Sequence, residues 1–374
     1  MASRTLCFLT FYFRVLAISC SGKRRVTQGL LSAYVALVLG DMILQMCNYF
    51  FGGWHMNDFH LRQQPKYMSF VKMLDAMNVA YLTTHMVMVT QALLFRDRER
   101  TLLSQLPDAR SKGISLTSLR IHLAVDFGVT SSALLLGFYN ALRLSQMIAT
   151  ARYLFSTQAV RARCLQVALL IMRLDAHLLQ LQDQLTEGRR CSQELRATYA
   201  HIVRLSRQIS GIYGLSVLMM NVLCIGDFIM VCYAYIVLWD ITEVQLSWLL
   251  VWQGLYVLLP TIMKIWILCE SSQKCAQHVS CHTTTWLMFI YLLQSQQLQE
   301  LLNAAYQQTR TNHSVNIRST RNQTNEFALQ IMHNPVQFDV CGIYHLNLQS
   351  FAGMFLFIVE SLVIFLQFMA LDKQ

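Results

Sequence analysis

Seven stretches of this chain stay apolar for more than 20 residues: 27–49, 67–94, 119–142, 148–172, 212–238, 246–269 and 347–370. About 20 apolar residues are what an α-helix needs to cross the hydrocarbon core of a bilayer. Runs of this length in lipid must be helical, because a lipid-exposed backbone has to satisfy its own hydrogen bonds. The sequence therefore predicts an all-α membrane protein with seven transmembrane helices. Composition agrees: of 374 residues 55% are hydrophobic and 13% charged, where a soluble protein carries about 25% charged. Arg152, Arg161 and Arg163 interrupt the fourth run, and a later start of that span is an alternative.

Orientation follows from Lys and Arg. With the N-terminus in the cytosol, the cytosolic pieces 1–26, 96–120, 173–208 and 270–346 hold 21 of the 30 basic residues. The external pieces 50–66, 239–245 and 371–374 hold 3. Basic residues mark the cytosolic side. The N-terminus is thus expected to be cytosolic and the C-terminus extracellular. The same distribution disposes of nucleic acid as a partner: the net charge of +10 is spread between apolar runs, not gathered in a basic domain.

This orientation is the reverse of a G-protein-coupled receptor, the nearest alternative with seven spans. Two sequons, Asn312-His313-Ser314 and Asn322-Gln323-Thr324, lie between spans six and seven. In the cytosol they stay unglycosylated; in the opposite topology they would face the lumen. A membrane transporter is the other alternative, but no internal repeat or matching pair of Gly/Pro-broken spans is visible. Within the spans there is no catalytic pairing such as His-x-x-x-His and no Gly-x-Ser-x-Gly elbow, so no enzyme is expected.

The eleven cysteines are scattered, unlike the framework of a small secreted domain. Cys275, His278, Cys281 and His282 could ligate a metal, but their spacing fits no standard zinc pattern. They read as a polar loop beside the membrane, and no metal or cofactor is expected. The apolar "TLCFLTFYF" after Arg4 is interrupted by Arg14 and followed by Lys23-Arg24-Arg25. It reads as a short interfacial segment within the cytosolic N-terminus 1–26.

The cytosolic parts have helical periodicity. Leu174, Leu178, Leu181 and Leu185 predict an amphipathic continuation of span four, within a helical extension 173–211 broken at Gly188. Trp286, Ile290, Leu293 and Leu301 mark another stripe in 270–346, read as anchor helices and a loop.

Ionisable groups inside spans are expensive and are functional candidates by default. Asp75 lies in span two, Asp227 and Asn221 in span five. Lys264 lies five residues from the inner end of span six and is expected to snorkel. Arg161 and Arg163 are two apart and cannot share a helix face. They pair with Asp75, Asp227 or Glu360, or face a water-filled cavity. In the outer halves of spans three to six, Phe138, Tyr139, Tyr153, Tyr233, Trp252 and Tyr256 form either an aromatic ligand pocket or an interfacial aromatic belt. Trp252 and Tyr256 share one helix face. So aromatic a lining leans toward a bitter or aversive compound.

The last fifty residues resemble the insect gustatory receptor family. There the final span ends in Thr-Tyr, five hydrophobic residues and Gln-Phe. Here Leu362-Val363-Ile364-Phe365-Leu366 precede Gln367-Phe368, while Glu360 and Ser361 replace Thr-Tyr. "FALQIMHNPVQFDVCGIY" is similar to the family's approach to that span, and "RCLQVALLIMRLDAHLLQLQDQL" to its fourth-span exit. The resemblance implies a ligand-gated, nonselective cation channel in the plasma membrane, opened by a small-molecule tastant. It implies a homo- or heterotetramer with related receptor subunits and a central pore. The six helices within 27–269 would form the ligand-binding region and 347–370 the pore-lining helix. It places Gln367 in the pore and Ile364 or Phe368 at the gate. Glu360 shares a helical stripe with Ile364 and Gln367. It faces either the permeation path or an arginine of span four.

Overall fold

The computed structural model describes residues 2–19, 25–51, 65–106, 116–140, 144–186, 192–242, 256, 258–278, 330 and 333–371. The break at Gly188, the Trp286–Leu301 stripe, both sequons, Trp252, Cys281 and His282 lie outside the described residues. So does the start of span six.

The described residues are helical nearly throughout. The elements are α1 (Ala2–Val15), α2 (Arg25–Phe51), α3 (Pro65–Leu94), α4 (Arg96–Gln105), α5 (Leu116–Asn140), α6 (Leu144–Thr186) and α7 (Ser192–Thr242). After them come α8 (258–278), a hairpin of β1 (Asp339–Val340) and β2 (Tyr344–His345), and α9 (Leu348–Leu371). Stretches in α2, α5, α6 and α7 are long and apolar enough to cross a membrane by length and composition; among the described residues α9 contributes the shorter Leu348–Ile364.

Local chemistry sets the ends. Pro65 opens α3, where a missing N–H costs nothing. Asp97 and Glu99 sit in the first turn of α4, favoured by the helix dipole. That helix stops at Leu106, whose extended backbone (ψ 139°) is what the following Pro107 demands. Asn347 caps α9: its Oδ1 accepts from the Ser350 N–H at 2.7 Å. Hydroxyls within the spans close onto their own helix. Thr83, Thr90, Thr157 and Ser361 each donate to the carbonyl four residues back. That makes Ser361 in α9 cheap to keep in an apolar segment.

The centre of the molecule is α6. It packs on α3, α5, α7 and α1, and Ala159, Ala162, Leu165, Ile171 and Leu174 are fully buried. At 43 and 51 residues, α6 and α7 extend about 65 and 77 Å. A bilayer core spans about 30 Å, so both helices project well beyond it. The continuation of α6 buries Leu174 and Leu181.

Three expectations are corrected. The N-terminal segment does not simply lie on an interface: α1 is a helix that buries Leu9, Tyr12 and Phe13 against the bundle and leaves Phe8 and Phe11 exposed. Lys264 does not snorkel. Helix α8 runs on to 278, which leaves Lys264 mid-helix, 2% exposed, with Nζ 2.5 Å from Asp126 Oδ2. Cys275 and His278 belong to α8, not to a loop. Cys275 is buried, and His278 Nδ1 lies 2.8 Å from Asp175 Oδ1.

Candidate ligand site and its link to the last helix

Three helices leave a cavity of about 290 Å³ between them. Helix α2 contributes Gln45, Asn48 and Tyr49; α3 contributes Asn78, Val79 and Leu82; α6 contributes Ala149, Arg152, Tyr153 and Ser156. Amides, a hydroxyl and two phenol rings on an apolar wall suit a small organic molecule. Asp41 stands beside it, 3.0 Å from Arg152 Nη2 and 2.6 Å from Gln45 Nε2.

Beneath the cavity lies a buried polar network. The edge of Tyr81 meets Tyr153 at 5.9 Å between ring centroids. The Tyr81 hydroxyl donates to Asp227 Oδ2 on α7. Asp126 of α5 is a hub with no exposed surface. It pairs with Lys264 at 2.5 Å, lies 3.9 Å from Arg161 Nη1, and accepts from the Gln158 amide. Gln158 also contacts the Tyr12 hydroxyl and accepts from Thr130. Arg161 lies over the Tyr256 ring at 5.4 Å and donates to the Tyr256 carbonyl at 3.2 Å. A void of about 20 Å³ remains among Tyr81, Arg161, Cys164, Thr261 and Lys264. Two aspartates thus balance two cations within one buried layer, which is what makes the charges tolerable.

Arg163 serves a second network on another face of α6. It donates to the Ile18 carbonyl at 2.8 Å and to Gln166 Oε1 at 2.7 Å, and covers the Tyr213 ring at 4.6 Å. Gln166 relays to Glu99 Oε1 of α4 at 2.8 Å, which Ser19 also reaches at 3.2 Å. Burial pushes the Glu99 carboxyl up from its ordinary value, against the pull of Arg163 and its hydrogen bonds.

The hairpin ties this bundle to α9. Cys341 and Gly342 both take positive φ, 52° and 70°, and Gly342 is the residue type that does so without strain. The turn docks on Gly214 of α7, where a Cβ would sit 3.2 Å from the Cys341 nitrogen. Ser210 Oγ accepts from the Asp339 N–H at 3.0 Å, and Asn221 bonds the Tyr344 hydroxyl. From α8, Ser272 donates to the Leu346 carbonyl at 2.5 Å and Gln273 accepts from the Leu348 N–H at 3.1 Å. Phe228 of α7 and Trp266 of α8 meet Phe355 and Phe351 of α9 edge-on.

The residues singled out in the sequence fall in different places. Tyr153 lines the cavity; Tyr256 is buried against Arg161 below it. Phe138 is half-buried and Tyr139 is 88% exposed on α5. Tyr233 lies in α7 and Phe368 in α9; their side chains are not among those described. On α9, Glu360, Ile364 and Gln367 are all exposed. The span-four arginines meet one expected partner, Asp227, which shares the buried layer of Arg161, and several that the sequence does not single out. Arg152 pairs with Asp41 and Arg161 with Asp126, while Arg163 reaches a backbone carbonyl and an amide. Asp126 was missed although it too is an ionisable group inside an apolar run, the signal that singled out Asp75 and Asp227. Gln45, Asn48 and Asn78 gave no signal, being ordinary polar residues until three helices bring them together.

The 7tm Chemosensory receptor family model matches residues 6–370. A Drosophila melanogaster protein provisionally named gustatory receptor 9a is 35% identical over 372 residues, 98% of each chain. Among solved structures, the insect olfactory receptor OR5 from Machilis hrabei in complex with eugenol superposes with a TM-score of 0.58 at 13% identity, covering 98% of both chains. The same receptor without that ligand gives 0.55 at 10% identity and the same coverage. At these identities the likeness is one of fold.

Proposed function

Because the chain belongs to the 7tm chemosensory receptor family, we propose that it is a gustatory receptor: a ligand-gated, nonselective cation channel of the plasma membrane, opened by a small-molecule tastant. Seven spans run with the N-terminus inside. Four subunits, identical or related, place their last helices around one axis. The phenol rings of Tyr49 and Tyr153 on the cavity wall favour a bitter or aversive ligand.

One observation carries the channel reading. Helix α9 leans on the bundle through α7 and α8, and buries only Ile358 completely among its described side chains. Its remaining surface includes a carboxylate and an amide at helical spacing, Glu360 and Gln367, with Ile364 between them at 53% exposure. A carboxylate mid-span is costly against lipid, so this face belongs at a water-filled axis. Four copies would make a Glu ring favouring cations, an Ile ring able to gate by dewetting, and a Gln ring. The arginines of α6 are engaged elsewhere, which leaves Glu360 for the pore.

Ligand entry into the cavity would act on Tyr153. Its contact with Tyr81 leads to Asp227 on α7. The next residue of α7, Phe228, touches Phe355 of α9. The cavity and the last helix are therefore joined by packed side chains.

The test is expression in a heterologous cell, with and without related subunits, against a tastant panel, followed by Glu360→Gln. Loss of divalent permeation and block in the variant is expected. Unchanged divalent behaviour would remove Glu360 from the pore. Surface staining of an N-terminal epitope in intact cells would overturn the orientation, and with it the channel model in favour of a G-protein-coupled arrangement.

A further inference from the structure

A second, basic cleft lies away from the aromatic cavity. It measures about 610 Å³ and lies between α4 and α7, lined by Asp97, Arg98 and Thr101 on one side and Arg204, Arg207, Gln208, Gly211 and Ile212 on the other. Positions 204, 207, 208 and 211 fall at i, i+3, i+4 and i+7, a single helix face, and all four are exposed. The cleft thus carries three arginines against one carboxylate; Asp97 already lies 3.5 Å from Arg96 Nε, and Arg98 covers the Phe95 ring at 5.5 Å. Arg204 and Arg207 also border a smaller neighbouring cavity of about 250 Å³, where Arg207 Nη2 reaches Asn334 Oδ1 at 3.3 Å. The cleft therefore carries excess positive charge and room for a ligand.

Its depth indicates which ligand. Helix α3 ends at Leu94, two residues before α4 begins, and the apolar part of α7 starts at Ile212. The cleft therefore lies at the ends of the apolar runs of both helices, where the spans read from the sequence put the edge of the bilayer. Guanidinium forks match phosphate oxygens bidentately, which ammonium groups do not. A ring of basic residues beside the membrane attracts anionic headgroups.

We propose that this cleft binds a phosphate monoester, presented as the headgroup of an inositol phospholipid in the adjacent leaflet. The binding chemistry is independent of whether the pore conducts. Only the leaflet, cytoplasmic, rests on the orientation proposed above.

The test uses the purified full chain and a fluorescent short-chain phosphatidylinositol bisphosphate, read by anisotropy, with phosphatidylcholine of equal chain length as reference. Wild type should prefer the phosphorylated lipid. R204Q/R207Q should weaken that binding about 30-fold and R98Q alone about 5-fold, as loss of two and one headgroup contacts predicts. R204K/R207K should retain most of the attraction but less of the discrimination. K274Q, an exposed partner of Glu270 elsewhere, should change nothing. Inositol trisphosphate and inorganic phosphate are added as competitors. Competition by either as strong as by the lipid would uphold the phosphate site and overturn the lipid as its source. Equal binding by wild type and R204Q/R207Q, with R98Q also unchanged, or no preference over phosphatidylcholine, would overturn the proposal.

Discussion

Replacing Asp126 by Asn probes the buried charge layer directly. Asp126 has no exposed surface and faces Lys264 at 2.5 Å and Arg161 at 3.9 Å. Asn is nearly isosteric, and the Gln158 contact can be re-formed by an amide. What disappears is the negative charge that offsets two buried cations. Removing one partner from such a pair costs about 3–5 kcal/mol, because the remaining charge stays buried and uncompensated. At about 2 °C per kcal/mol for a chain larger than the usual domains, the thermal midpoint should drop by about 6–10 °C. Lys264→Met should cost less, since Arg161 remains beside Asp126. The double variant should be more stable than the sum of the two losses predicts, by about 1–3 kcal/mol of coupling. The assay is the midpoint of fluorescence-detected size-exclusion melts of the detergent-solubilised protein, with surface expression measured in parallel. A change in D126N within about 1 °C, or strict additivity in the double variant, would refute the idea that this charge balance holds α5, α6 and α8 together.

Other predictions concern coupling and pH. Tyr81→Phe removes the hydroxyl that reaches Asp227 while keeping the edge contact with Tyr153. The concentration of tastant for half-maximal current should shift several-fold with surface expression unchanged. Gly214→Ala places a Cβ 3.2 Å from the Cys341 nitrogen, an overpacking that costs about 1–3 kcal/mol. Evoked current should fall, while Gly128→Ala, with nothing within 4 Å, should leave it intact. His177, in the projecting part of α6, is held below its ordinary 6.5 by burial first and the nearby His201 second. Folding therefore favours the neutral ring: this contribution is complete above pH 6.5 and is lost as pH falls below it. The midpoint should drop between pH 7.5 and 5.5, and His177→Gln should flatten that drop.

Much of the fold was legible because bilayer thickness acts on sequence directly. Apolar runs announce their helices: α2, α5, α6 and α7 each carry one long enough to cross. The end of α4 could be anticipated at Pro107 and the start of α9 at Asn347, since caps and proline act within a few residues. The errors came where packing or an element's length decides a side chain's fate. Lys264 lies near the end of an apolar run, which suggests snorkelling; packing of α8 against α5 and α6 instead buries its ammonium on Asp126. Cys275 and His278 read as a loop because hydropathy marks where an apolar run ends, not where its helix does.

Arg161 and Arg163 show why a site of this kind resists reading from sequence. Two positions apart on a helix, they point about 200° from each other. The sequence thus says that they serve different neighbours, and stops there. Which neighbours depends on how α6 is surrounded, and α6 is surrounded on every side. Arg161 turns toward Asp126 and Tyr256, joining the layer beneath the cavity. Arg163 turns toward Ile18 just past α1, toward Gln166, which bonds Glu99 of α4, and toward Tyr213 of α7. The negative charge beside these arginines comes from three other helices: Asp126 of α5, Asp227 of α7 and Glu99 of α4. A helix carrying two opposed cations can rotate little without breaking one network or the other. That fixes the register in which Tyr153 and Ser156 face the cavity, so the charges that looked misplaced in an apolar run are what aim the ligand-facing side of α6.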